Sequence, residues 1–173
     1  MKKIEFKNLQ EPGISAQTLE AMQDNAEEAI ETVNVMKAYQ EYAQIANQNQ
    51  KVNLHNYEVV GNALTFENSG IKIGKGISHI YVYAQIFFEY LPVNQNYFWI
   101  RVMKNNTEIA SKLTSCQANE DYVQADVYGS PISVQEGDLI TLNFGDIASK
   151  QPTTRAGKNA TFLVVTAIST HVE

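Results

Sequence analysis

The segment Gly70 to Gly76, GIKIGKG, has the glycine and lysine content of a loop that wraps phosphate. Such a loop needs four residues between its glycines and a Ser or Thr after the lysine, and here there are three residues and a glycine. It therefore reads as a turn that joins strands. His55, His79 and His171 are dispersed, and none has a Ser, Cys or carboxylate beside it in a catalytic pattern. Cys116 is the only cysteine, so no intrachain disulfide forms, and it lacks the surroundings of a nucleophile. Asn119, Glu120 and Asp121 carry oxygen ligands suited to calcium, without the spacing of a calcium loop. Asn105-Asn106-Thr107 and Asn159-Ala160-Thr161 match the glycosylation sequon by chance if the chain is not secreted. The expectation is no catalytic residue, no metal and no cofactor. Two loops have the mixture of aromatics with Asn, Gln and acids that glycan recognition uses: 91 to 97, with Asn94, Gln95 and Asn96, and 117 to 122, with Asn119, Glu120 and Asp121. Taken singly, each loop also reads as an ordinary polar connection.

Composition narrows the partners. Hydrophobic residues make up 44% and charged residues 18%, too apolar for wholesale disorder. The formal charge of -6 is uneven: residues 1 to 14 carry about +1, 15 to 50 about -5 and 51 to 173 about -2. With no clustered Lys/Arg stripe, the chain would be repelled by a phosphate backbone, so nucleic acid is not an expected partner. The opening MKKIEFKNLQEPG is basic but has no apolar run behind it, and no run anywhere is long enough to span a bilayer. Synthesis in the cytoplasm without a signal peptide, and no membrane insertion, are expected.

Two periods divide the chain. Ile4 and Phe6 alternate in a short arm that Pro12-Gly13 stops, and Ser15 is a suitable N-cap for a helix beginning at Ala16. Leu19, Met22, Ala26, Ala29, Val33 and Met36 then recur at spacings of three and four, a heptad seam, and the helix is expected to continue to about Ala46. Such a stripe packs either on the chain's own head or on copies of itself. Beyond Val52 the period becomes two, in segments rich in Val, Ile, Tyr, Phe and Thr separated by turn residues such as Asn68-Ser69-Gly70, Asn105-Asn106 and Glu136-Gly137-Asp138. Seven or more such strands with no helix between them indicate an antiparallel sandwich or closed barrel and exclude a parallel α/β fold. The expected units are residues 1 to 50, arm and helix, and 51 to 173, a β head.

Within the longest strand, Ile80, Val82, Ala84, Ile86 and Phe88 form a core face, while Tyr81, Tyr83 and Phe87 share the other face with Gln85 and Glu89. Tyr97 and Trp99 repeat the pattern in the next strand, opposite Phe98, Ile100 and Val102. Tyr81, Tyr83, Phe87, Tyr97 and Trp99 are the expected contact surface between subunits, with aromatics scattered outside a single core as the alternative reading.

The run IKIGKGISHIYVYAQI, followed by YFWIRVMKNNTEIAS, QEGDLITL and the closing ATFLVVTAI, resembles the globular head of the tumour necrosis factor and complement-head superfamily. In that pattern a Lys-Asn turn and a Gly-Asp turn precede particular strands, and Lys104-Asn105 and Gly137-Asp138 occupy those turns. The opening KKIEFKNLQEPGISAQTLEAMQDNAEEAI looks like that of structural proteins in phages and prophages of Gram-positive bacteria. The resemblance implies a mainly β protein, an N-terminal α-helix in a trimeric helical bundle or coiled coil followed by an antiparallel jelly-roll β-sandwich. It also implies a non-enzymatic homotrimer in the virion: a tail fibre, spike or baseplate subunit that docks to other virion proteins through its N-terminal arm and adsorbs to a host-surface glycan. The alanines in the seam bury little, so the head aromatics are expected to carry most of the trimer contact. A complement-head-like binding module unrelated to phage and a cell-wall glycan hydrolase are the alternatives.

Overall fold

The computed structural model describes residues 32–89, 97–115, 122–147 and 152–169. Twelve strands are described: β1 (Thr32–Tyr39), β2 (Asn56–Val60), β3 (Leu64–Glu67), β4 (Gly70–Ile73), β5 (Ile77–Glu89), β6 (Tyr97–Lys104), β7 (Thr107–Ser115), β8 (Tyr122–Tyr128), β9 (Ile132–Ser133), β10 (Leu139–Ile147), β11 (Thr153–Thr154) and β12 (Phe162–Ser169). They form two antiparallel sheets. In the first, β5 pairs with β12 and β11 along one edge and with β8 and β9 along the other, and the order continues from β12 to β1 and β2. The second runs β3-β4-β10-β6-β7.

Local chemistry places several turns. Asn68 and Ser69 close the β3–β4 hairpin with φ of 50° and 55°, and Asn105 and Asn106 close β6–β7 with φ of 47° and 70°. Positive φ at both central residues is the two-residue hairpin geometry that matches strand twist, and asparagine tolerates it better than other non-glycine residues. The β6–β7 turn is tied down from outside. Asn105 Nδ2 donates to Asp138 Oδ1 at 2.6 Å, Leu139 N donates to Asn105 Oδ1 at 2.9 Å, and Gln135 N donates to Asp138 Oδ2 at 3.0 Å. Asp138 is buried. Asp138→Ala strands both donors in a part-buried site and is expected to lower stability by about 1–3 kcal/mol, read as a lower urea midpoint at unchanged slope.

The core lies between the sheets. Ile80, Val82, Ala84, Ile86 and Phe88 all point inward from β5, as their alternation requires, and Leu163, Val165 and Ala167 of β12 join them. From the second sheet come Ile71, Phe98, Ile100, Val102, Ile140, Leu142 and Phe144. Phe88 stacks on Phe98 with centroids 4.7 Å apart and lies 6.2 Å from Phe144, so one aromatic cluster bridges the two layers.

The helix expected to run to Ala46 does not occupy residues 32 to 46. TVNVMKAY is strand β1, in register with β12 on one side and β2 on the other. Val33 and Met36, assigned to one helical seam, sit on opposite faces of this strand: Val33 is 51% exposed and Met36 1%. A spacing of three keeps two residues on one helical face and puts them on opposite strand faces. Thr32, Val33 and Val35 are β-branched, and two ready-made strand neighbours satisfy the backbone on both edges. The sheet therefore begins at Thr32, inside the segment assigned to arm and helix. Leu19, Met22, Ala26 and Ala29 lie outside the described residues.

Burying β1 brings polar groups inside. Asn34 Oδ1 accepts from Asn62 N and Ala63 N, both at 3.1 Å, and a Cβ on Gly61 would collide with that side chain. Gln40 is fully buried and its Oε1 accepts from Thr154 Oγ1 at 2.6 Å. Each group is satisfied, as burial demands.

Candidate functional site: the two outer faces of the sandwich

The sheet registers align the outward residues of the first sheet into rows. Val60, Val35, Thr166 and Tyr81 lie in register across β2, β1, β12 and β5. The next row is Glu58, Lys37, Val164, Tyr83 and Tyr128, and the next runs from Asn56 through Tyr39 and Phe162 to Gln85. Tyr83 stacks on Tyr128 with centroids 4.6 Å apart, and Phe162 meets Tyr83 edge-on at 5.3 Å. Val60 remains 66% exposed, Tyr81 49% and Tyr128 72%. Valines and tyrosines thus run across four or five strands, interrupted by Thr166, Glu58 and Lys37, with Lys37 Nζ 4.3 Å over the Phe162 ring; so many outward apolar side chains with their rings fixed against one another are unusual against open water.

Gln85 organises one end of this face. Its Nε2 donates to the carbonyls of Asn159 and Ala160 at 3.1 and 3.0 Å, and its Oε1 accepts from Tyr83 Oη and Gln124 Nε2. A recess of about 410 Å³ opens there, lined by Gln85, Phe87, Gln124 and the 155–160 loop. Arg155 lies 5.3 Å over the Phe87 ring and 3.5 Å from Glu89, and Lys158 pairs with Glu58 at 3.0 Å. The hydrogen bond that Lys158 donates to Glu58, and then the Glu58 charge, hold the Lys158 ammonium above the usual lysine pKa. A raised lysine contributes below its unfolded pKa and is lost only as pH rises through the folded one, so this pair is constant across neutral pH, and at full exposure it is weak.

The outer face of the second sheet differs. Thr65, Glu67, Lys72, Thr141, Asn143 and Arg101 make most of it polar. Tyr97, Trp99 and Leu113 form an aromatic and apolar patch at one end, with Trp99 directly opposite Leu113 on β7. Gly145 stands beside Trp99, where a Cβ would come within 2.7 Å of Trp99 Cβ, so glycine is what lets the indole sit there. Arg101 Nε is 3.1 Å from Glu108 Oε2, its Nη1 donates to Asn49 Oδ1 at 3.0 Å, and its guanidinium lies 5.7 Å from the Trp99 ring.

The five residues expected to form one contact surface are therefore split. Tyr81, Tyr83 and Phe87 face outward from the first sheet, Tyr97 and Trp99 from the second, on the opposite side of the molecule. The reason is that β5 and β6, consecutive in sequence, lie in different sheets. Tyr128, Val60, Val35 and Val164 were missed; their one signal in the sequence is outward apolar residues at alternate positions. Asn94, Gln95, Asn96, Asn119, Glu120 and Asp121 lie outside the described residues, as do Cys116 and His171.

Among the described residues no cluster of three His, Cys, Asp or Glu side chains is arranged to hold a metal. The second recess, about 370 Å³ beside Lys104, Asn105 and Asp138, has one lining carboxylate. Glycoside hydrolysis requires two converging carboxyl groups, and neither recess presents them among the described residues. No helix there is long and apolar enough to cross a membrane.

Strand order and layering define a tumour necrosis factor-like jelly roll. Murine APRIL at pH 5.0 superposes with a TM-score of 0.60 at 13% identity, over 79% of this chain and 99% of that one. Eiger TNF from S. frugiperda gives a TM-score of 0.54 at 8% identity, over 80% and 94%. No family model matches the sequence, and no curated protein matches it.

Proposed function

We propose that this protein is a non-enzymatic binding module that joins two further copies of itself through the outer face of the first sheet. The observation that carries this is the in-register apolar surface built by Val60, Val35, Tyr81, Val164, Tyr83 and Tyr128. Burying it removes tyrosine and valine surface from water, the main favourable term in association. The opposite sheet presents fewer outward apolar side chains, with Tyr97, Trp99 and Leu113 gathered at one end and Glu67, Lys72 and Arg101 over the rest. The tumour necrosis factor-like fold suits a trimer with its binding surfaces turned outward, where three weak sites on one rigid body gain affinity through avidity. Light scattering on the full chain, 19.4 kDa per copy, is expected to give the mass of three copies; the mass of one overturns the reading.

The finer reading is a virion subunit, made in the host cytoplasm, attached to other virion proteins by its N-terminal arm and contributing to host adsorption. Its support is the opening sequence KKIEFKNLQEPG and the acidic, Leu- and Met-containing segment that follows. Flanking genes for portal, tail or lysis proteins are expected. Flanking genes for secreted proteins would favour a complement-head-like binding module instead.

A further inference from the structure

Tyr97 and Trp99 are left without a role by self-association through the first sheet, and their surroundings are specific. We infer that the outer face of the second sheet around Trp99 binds a neutral carbohydrate.

Sugar rings present a flat C–H face and a rim of hydroxyls, so a site for them pairs an aromatic surface with planar hydrogen-bonding groups held at its edge. Tyr97 and Trp99, two residues apart on β6, supply the surface on one face of the sheet, and Leu113 extends it across β7. Arg101, two residues further on, supplies the rim. Its guanidinium, 5.7 Å from the Trp99 ring, is held by Glu108 and by Asn49, so it stands beside the indole at little further cost in side-chain entropy. Guanidinium, carboxylate and amide each offer two polar atoms at a spacing that matches adjacent hydroxyls.

Charge selects the ligand class. Arg101 and Glu108 cancel within the site, and the chain carries -6 overall, so nothing here favours an anionic sugar or phosphate. A protein partner would want a larger dry centre than Tyr97, Trp99 and Leu113 provide beside a fixed ion pair. The patch lies on the other sheet from the surface proposed for self-association.

Trp99 is the only tryptophan, so its fluorescence reports the site directly. The full chain is titrated with maltotetraose, cellotetraose and chitotetraose, neutral probes of different linkage and substituent. A saturable change is expected with at least one, with a half-point on the order of 1 mM for a single shallow site. Tyr97→Ala and Arg101→Lys should each weaken it about tenfold or more, the second because lysine lacks the planar fork, with the far-ultraviolet circular dichroism unchanged. No saturable change with any probe, or a change undiminished in both variants, overturns the inference. Light scattering on the same samples separates the two readings: a trimer that ignores all three sugars sinks only this one, and a monomer that binds sinks only the association.

Discussion

Tyr81→Lys combined with Tyr128→Lys is expected to turn a trimer into single folded chains at micromolar concentration. In the single chain Tyr81 is 49% exposed and Tyr128 72%, so lysine is tolerated at both before assembly. On assembly each tyrosine loses its apolar surface to a neighbouring copy, and a fully buried aromatic of this size is worth about 2 kcal/mol or more at an interface centre. Two losses per contact weaken association on the order of a thousandfold. Lysine adds the cost of stripping water from an unpaired ammonium. The outcome is read as mass by light scattering, with circular dichroism checking that each chain stays folded. Tyr97→Lys, on the other sheet, is the control and should leave the mass unchanged. A mass insensitive to the double substitution, or lost equally in the control, would place the contact elsewhere.

Phe98→Ala should cost about 3–5 kcal/mol of stability. The ring is fully buried and stacked 4.7 Å from Phe88, the contact by which β6 in one sheet grips β5 in the other. Truncation removes that contact and leaves a cavity that a packed interior closes only in part. Against a total of about 5–15 kcal/mol for a domain, this is about a fifth or more, and in a chain of this size it lowers the melting temperature by roughly 6–20 °C. Because self-association would stabilise the folded state in proportion to concentration, wild type and variant are compared at one protein concentration. Phe66→Ala is the comparison. That ring is only partly buried and stacks on exposed Tyr57, so its loss should cost clearly less. A Phe98→Ala variant within 1 kcal/mol of wild type would mean the two layers are not held by this cluster.

Much of the β head is written locally. Alternation along Ile80 to Phe88 identifies the core face of β5 residue by residue, and Asn68-Ser69 and Asn105-Asn106 mark hairpins because few other residues accept positive φ at low cost. The misreadings share a cause. Val33 and Met36 satisfy a helical spacing, but the strand they belong to is chosen by β12 and β2, which lie more than a hundred residues away and next door in sequence respectively. Gly70–Ile73, read as part of a turn, is strand β4 because β3 and β10 flank it.

The candidate sites divide in the same way. Periodicity alone identifies Tyr81, Tyr83, Phe87, Tyr97 and Trp99 as outward-facing, because side chains in a strand alternate wherever the strand lies. Which of them share a surface depends on which strands share a sheet, and that is decided by hydrogen-bond pairing between distant segments. Local patterning is thus enough for a β head, its turns and the inward or outward sense of its longest strands. The folded chain drew β1 into the first sheet, brought valines and tyrosines from β1, β2, β5, β8 and β12 onto one face, and set Trp99 beside Arg101, which Glu108 and Asn49 hold, on the other. Pairing is a long-range choice, made by the total burial and hydrogen bonding of the whole sandwich, and no local spacing encodes it.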